Sequence, residues 1–141
     1  RGGSVAVGAF HPSHHVMQGN LRVRQYQALI DKLKDDDQAI IMGDLNAMAW
    51  QRPRRLLKKH GYRSVLNQLG LQRQSTFPAH YKTADAPGLP VGLRHIIEKS
   101  VNRWGASIDD IYVKGNHRVV DGGFLEGKSD HLGVWATIQF L

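Results

Sequence analysis

Apolar and polar positions alternate loosely in SVAVGAF, residues 4 to 10, and the small and β-branched side chains there predict a strand ending at His11-Pro12. After a Gly19-Asn20 break, Tyr26, Leu29, Ile30 and Leu33 recur at helical spacing, while Arg22, Arg24, Gln27, Lys32 and Lys34 fall outside that stripe. This predicts an amphipathic helix with Asn20 as its N-cap. The run Asp35-Asp36-Asp37 is poorly placed for a helix C-terminus and reads as a solvated loop rather than a metal cluster. A continuous apolar run over 39 to 42 predicts a buried strand. Pro53 suits a first helical turn, and RRLLKKHG stops at Gly61, so a second helix is expected between them. Residues 64 to 70 read as a further short helix. From 75 to 107 the pattern dissolves among Pro78, Pro87, Pro90 and several glycines, apart from a helix expected over 93 to 101. Strands return at 108 to 114, 117 to 121 and 134 to 140. The order β-α-β-α, long loop, then strands predicts an α/β fold with a mixed sheet and no internal repeat or domain boundary.

Three strand ends carry polar chemistry. The apolar run Ala39 to Met42 stops at Gly43 and is followed by Asp44, Leu45 and Asn46. Asp109 and Asp110 interrupt the apolar strand SIDDIYV, and Ser129, Asp130 and His131 lead into the last strand. Gly, Asp and Asn are common turn formers, so one reading of each is a turn or cap. The other is a ligand-binding edge, because open α/β sheets place ligands beyond the carboxyl ends of their strands. A carboxylate inside a strand is costly to bury without a partner. Strand alternation turns one of Asp109 and Asp110 inward, and a His is the obvious candidate partner.

Composition adds bounds rather than a function. The 141 residues contain no Cys, which removes disulfides, thiolate metal sites and a thiol nucleophile. No apolar stretch is long enough to cross a bilayer, and the chain begins with Arg, as a piece of a longer product or a processed chain would. The net charge of +7 favours phosphates, nucleic acids or anionic surfaces. Ten of the twelve acids are Asp, and the only Glu residues are Glu98 and Glu126.

GDLN, IDDIYV and SDHLGV, in that order, with His11 in VGAFHP upstream, resemble the signature of the endonuclease/exonuclease/phosphatase superfamily and its deoxyribonuclease I-like fold. The resemblance spans residues 5 to 140, and the stretch from GDLNAMAWQRPRRLLKKHGY to STFPA is similar to bacterial members, many of which carry this domain behind membrane-spanning segments. It implies a metal-dependent phosphoesterase that hydrolyses phosphodiester or phosphomonoester bonds by water attack, nuclease-like in the full-length protein. Asp44 would orient and deprotonate the water, and Asn46 would hold that water or a phosphate oxygen. His131 would face the phosphate, with Asp109 on its far ring nitrogen, and His11 would assist the leaving oxygen. Asp130, together with Asp44, would bind Mg²⁺ or Mn²⁺. A hard ion wants oxygen ligands and keeps several waters, so few carboxylates are needed.

The family's principal metal-binding Glu and an Asn on an earlier strand have no counterpart here, since Glu98 and Glu126 match by neither order nor context. Asp110 stands where the family usually has an aromatic residue or His. The chain is therefore expected to be the C-terminal half, residues 1–141 forming one partial domain of a four-layer α/β sandwich with a mixed, largely antiparallel sheet and flanking helices. Half a sandwich exposes the face its partner would cover, so the missing half or self-association is expected to be needed, and the isolated fragment is expected to be inactive. The resemblance extends to a phosphate-containing substrate, DNA or RNA among the choices, and to a membrane anchor or extracytoplasmic setting in the parent protein.

Other residues divide between roles. His14 and His15 read as loop residues near the rim, and His60, His80, His95 and His117 as surface residues. Trp135 is expected in the core, and Trp50 either lines the cleft or does not. Arg52, Arg54, Arg55, Lys58 and Lys59 read as a solvated helix face or as a track for a phosphate backbone. A noncatalytic nucleic-acid or anion-binding module, and a phosphatase for lipid or sugar head groups, are the competing functions.

Overall fold

The computed structural model describes residues 4–13, 19–77 and 107–141. The helix expected over 93–101, and His14, His15, His80, His95, Glu98 and Trp104, lie outside the described residues. In chain order the elements are β1 (Ala6–Ala9), α1 (Gly19–Lys32), β2 (Ala39–Asp44), α2 (Arg52–Lys59), β3 (Arg63–Ser64), α3 (Val65–Gln68), β4 (Asp109–Lys114), β5 (His117–Leu125) and β6 (Gly133–Phe140). One sheet has the order β1-β2-β4-β3, and β5-β6 form a second. Among the described residues only β1 and β2 run parallel; β2 with β4, β3 with β4, and β5 with β6 are antiparallel. This is the mixed α/β arrangement that the sequence pattern predicts, with the largely antiparallel pairing that the family resemblance implies.

The two faces of the first sheet bury different partners. Ala39, Ile41 and Tyr112 face α1 and α2, where Tyr26, Ile30, Leu33 and Leu57 close a core. The helical stripe predicted for α1 supplies three of those side chains. On the opposite face Ile111 and Val113 meet Val65 of α3 and the inward row Val134, Ala136, Ile138 and Phe140 of β6. Period-two alternation therefore turns Trp135 outward, and it is exposed rather than part of the core. His117 is buried, not on the surface, with Nδ1 2.8 Å from the Gly115 carbonyl and Nε2 3.2 Å from the Gln68 amide nitrogen.

Other local differences have physical causes. α1 begins at Gly19, so Asn20 lies in its first turn instead of capping it. The Asp35–Asp37 loop is held by the Lys114 ammonium, which donates to the Lys34 carbonyl at 2.9 Å and the Asp36 carbonyl at 2.7 Å. A cation on the last carbonyls offsets acids that would oppose the helix dipole. β2 runs on through Gly43 to Asp44 instead of stopping at Met42, and that extension carries the site. Among the described residues no helix is long and apolar enough to cross a membrane.

Candidate active site

Strand register brings the acids together. Asp44, the last residue of β2, stands opposite Asp109, the first of β4. The parallel pairing of β1 with β2 runs on past Ala9–Met42 through a bond from the Phe10 amide to the Met42 carbonyl, 2.9 Å. Two residues further, His11 reaches Asp44 with Nε2 3.6 Å from Oδ2. His131 arrives from the loop before β6, and its Nδ1–H donates to Asp109 Oδ2 at 2.9 Å. That bond fixes the ring and leaves Nε2 as the nitrogen turned to a ligand. His11 is exposed, whereas Asp44, Asp109 and His131 are partly buried.

Gly43 permits this approach. Its φ of 136° lies in the region that side chains avoid, and a Cβ there would overlap the Phe10 carbonyl oxygen. Past it, Asp44 Oδ1 accepts from the Asn46 amide at 2.8 Å, and Asn46 has a left-handed φ of 45° that Asn tolerates. The Asn46 side-chain nitrogen donates to the Pro12 carbonyl at 2.9 Å, which ties the His11 loop to the GDLN loop.

The GDLN loop is held from behind by groups that sequence reasoning placed elsewhere. Arg22, outside the apolar stripe of α1, is buried and donates to the Asn46 carbonyl at 2.9 Å. Tyr26 donates to the Leu45 carbonyl at 2.6 Å, and burial raises its pKa well above the usual phenol value. Arg54 is not on a solvated face: it is 1% exposed and pairs with Asp110, while Nη1 donates to the Ser107 carbonyl at 2.6 Å and the Ala47 carbonyl at 3.3 Å. The inward acid of β4 is thus Asp110, and its partner is an Arg rather than a His. Asp110 also accepts from Ser64 Oγ at 2.7 Å and from the Ile111 amide at 2.8 Å. Burial raises its pKa, opposed by Arg54 and these donors. Burial works against the charge on Arg54, but Asp110 together with Tyr112 and Tyr26 outweighs it, and the guanidinium pKa is raised. A signal was available, since an acid placed inward needs a cation and α2 is rich in them.

Thr76 and Phe77 complete the His131 side. Thr76 Oγ1 accepts from the amides of Ile108 and Asp109, both at 3.0 Å, and its carbonyl accepts from the Leu132 amide at 2.9 Å. The Phe77 ring lies 4.5 Å from the His131 ring, centroid to centroid. One buried Thr therefore aligns both members of the Asp109–His131 pair. The STF stretch held no role on sequence grounds beyond its likeness to bacterial members.

Asp44, Asp109 and His131 offer ligand atoms that all lie within 4.8 Å of one another. Two carboxylates suit a hard divalent ion that keeps much of its water. One Asp109 oxygen is engaged with His131, so the donors free for an ion are Asp44 and the second Asp109 oxygen, a fitting but incomplete set. Asp130 stands exposed beside Ser129, 3.4 Å from its hydroxyl, and is not among the converging three. Trp50 is 71% exposed.

Structures already solved share this fold. A functionally unknown conserved protein from Enterococcus faecalis V583 is 20% identical with a TM-score of 0.66, over 96% of this chain and 50% of that one. D. rerio TDP2, humanized by 14 mutations, is 15% identical with a TM-score of 0.64, over 96% of this chain and 55% of that one. D. rerio TDP2 complexed with single strand DNA product is 16% identical with a TM-score of 0.62, over 94% of this chain and 55% of that one. The chain thus spans about half the length of these structures. No curated protein matches it. The model of the endonuclease/exonuclease/phosphatase family matches residues 2–131, nearly the whole chain, and the chain belongs to that family.

Proposed function

We propose that the chain carries the carboxylate–histidine half of a hydrolytic site for phosphodiester bonds, nuclease-like in the full-length protein. The observation that carries this reading is the meeting of Asp44, Asp109 and His131 at one sheet edge. In it, Asp44 accepts the proton of the attacking water and the Asn46 amide oxygen steadies that water. His131 presents Nε2 to a nonbridging phosphate oxygen, with Asp109 on Nδ1 to fix the ring and support its charged form. His11 reaches the leaving oxygen from the β1 side. Proton transfer by positioned groups of this kind contributes about 10²- to 10⁴-fold.

A divalent ion such as Mg²⁺ or Mn²⁺, when bound, would polarise the phosphate and neutralise charge as it develops. Asp44 and the free oxygen of Asp109 would hold it, with Asp130 reaching in from the rim. The family's metal-binding Glu would complete the set from the part of the domain this chain does not span. Nucleic acid is the substrate class proposed, supported by the net charge of +7 and by the single strand DNA product in one structural neighbour.

The test is Mg²⁺-dependent cleavage of a single-stranded oligonucleotide and of bis(p-nitrophenyl) phosphate by the full-length protein, with chelation as control. Asp44→Ala and His131→Ala are each expected to lower turnover about 10²-fold or more. Full activity in both variants would overturn the assignment.

A further inference from the structure

The outer surface of the helices carries a groove that the strand-edge site leaves unexplained. It holds about 400 Å³ and is lined by Val23 and Gln27 of α1 and by Arg52, Arg55, Leu56 and Lys59 of α2. Arg52, Arg55 and Lys59 stand at i, i+3 and i+7, so they share one face of the helix, and all three are exposed. Arg54, between them in sequence, points the other way into Asp110. No acid occurs in α2, and the single acid of α1, Asp31, accepts from Gln27 at 2.8 Å. Val23 and Leu56 provide an apolar floor between the cations.

The Arg52 end of the groove follows Asp44 by eight residues in the chain. The first turn of α2 is pinned to the sheet edge through Arg54, which bonds the carbonyls of Ala47 and Ser107 beside the Asp44 and Asp109 segments. From Arg52 to Lys59 the cations then run down the helix for about 10 Å. Two residues before the helix stands Trp50, a large aromatic left in water where such side chains are mostly covered.

We propose that this groove is a docking track for single-stranded nucleic acid entering or leaving the edge site, its phosphates on Arg52, Arg55 and Lys59 and a base stacked on Trp50. The proposal deepens the phosphodiesterase reading and rests on it for the position of the scissile bond. Arg forks match phosphate oxygens, and stacking on an aromatic ring serves any base. A concave groove with cations on its walls favours a strand over a membrane, which lies flat against a protruding amphipathic face.

The test uses the full-length protein with chelator present, so that a labelled single-stranded oligodeoxynucleotide is bound but not cut. Arg52→Gln/Arg55→Gln/Lys59→Gln should weaken binding roughly tenfold or more and flatten the slope of log affinity against log salt by about 2. Trp50→Ala should weaken it about 5-fold or more at every salt concentration. The triple variant should turn over bis(p-nitrophenyl) phosphate, with metal restored, at the wild-type rate. Unchanged oligonucleotide affinity and slope in the triple variant overturns the proposal. So does unchanged oligonucleotide binding alongside lost binding to phosphatidylserine vesicles, which would assign the groove to a membrane. Groove-dependent strand binding by a protein that cleaves neither probe keeps the groove and removes the hydrolase reading.

Discussion

Asp109 and Asp110 are neighbours on β4, yet one pairs with His131 at the open edge and the other with Arg54 in the interior. A single alternation of the strand separates the two tasks. Asp109 fixes the His131 ring, while Asp110 fastens α2 and the loop behind the site to the sheet.

Asp109→Asn keeps the shape of the first pair but turns an obligatory acceptor into an amide. The His131 ring loses the support for its charged form, so turnover should fall about 10²-fold or more with little change in stability. Turnover set against the urea midpoint is the discriminating readout, because turnover should fall while the midpoint stays near the wild-type value.

Arg54→Leu leaves the Asp110 carboxylate buried without its cation. The expected cost is about 3–5 kcal/mol in urea denaturation of the full-length protein. Arg54→Leu/Asp110→Leu should recover part of that loss, but not all, because Ser64 and the Ile111 amide would lose their acceptor. A double variant no more stable than the single one would show that the ion pair is not what makes Arg54 important.

Gly43→Ala forces a side chain into a positive φ and against the Phe10 carbonyl. Destabilisation by more than about 1 kcal/mol is expected, together with a drop in activity as His11 is pushed away from Asp44. Thermal melting and turnover should change together.

Burial raises the pKa of Tyr26, Tyr62 and Tyr112 in the folded chain. A raised folded pKa favours the neutral phenol, so its contribution is complete below the unfolded value near 10 and is lost as pH rises beyond it. Unfolding free energy should therefore decline above about pH 10, and Tyr26→Phe should soften the decline. An equal decline in Tyr26→Phe would assign the alkaline sensitivity to the other two.

Much of the fold was legible because periodicity survives in the short elements: the α1 stripe, the apolar β2 run and the alternation in β6. The meeting of Asp44, Asp109 and His131 at one edge was legible through the order of GDLN, IDDIYV and SDHLGV. What escaped was whatever depends on contacts distant in sequence. Arg22 and Arg54 look like solvated cations in a helical pattern, and only tertiary placement shows that they satisfy carbonyls and a buried acid. Thr76 sits where local pattern says loop, and its value lies in bonds to residues about thirty positions on. Trp135 is expected in the core from its place in the last strand, whereas parity in that strand turns it out.

The pairing of Asp44 with Asp109 has a consequence for how such a site can diversify. Because the two acids occupy one rung of the ladder, their separation is dictated by the backbone bonds of the sheet and cannot drift by small steps. A shift of β4 by one position would exchange Asp109 for Asp110 and turn Ile111 and Val113 away from β6 toward α1 and α2. Changes in the connecting segments around this frame therefore leave the spacing of the two acids unaltered.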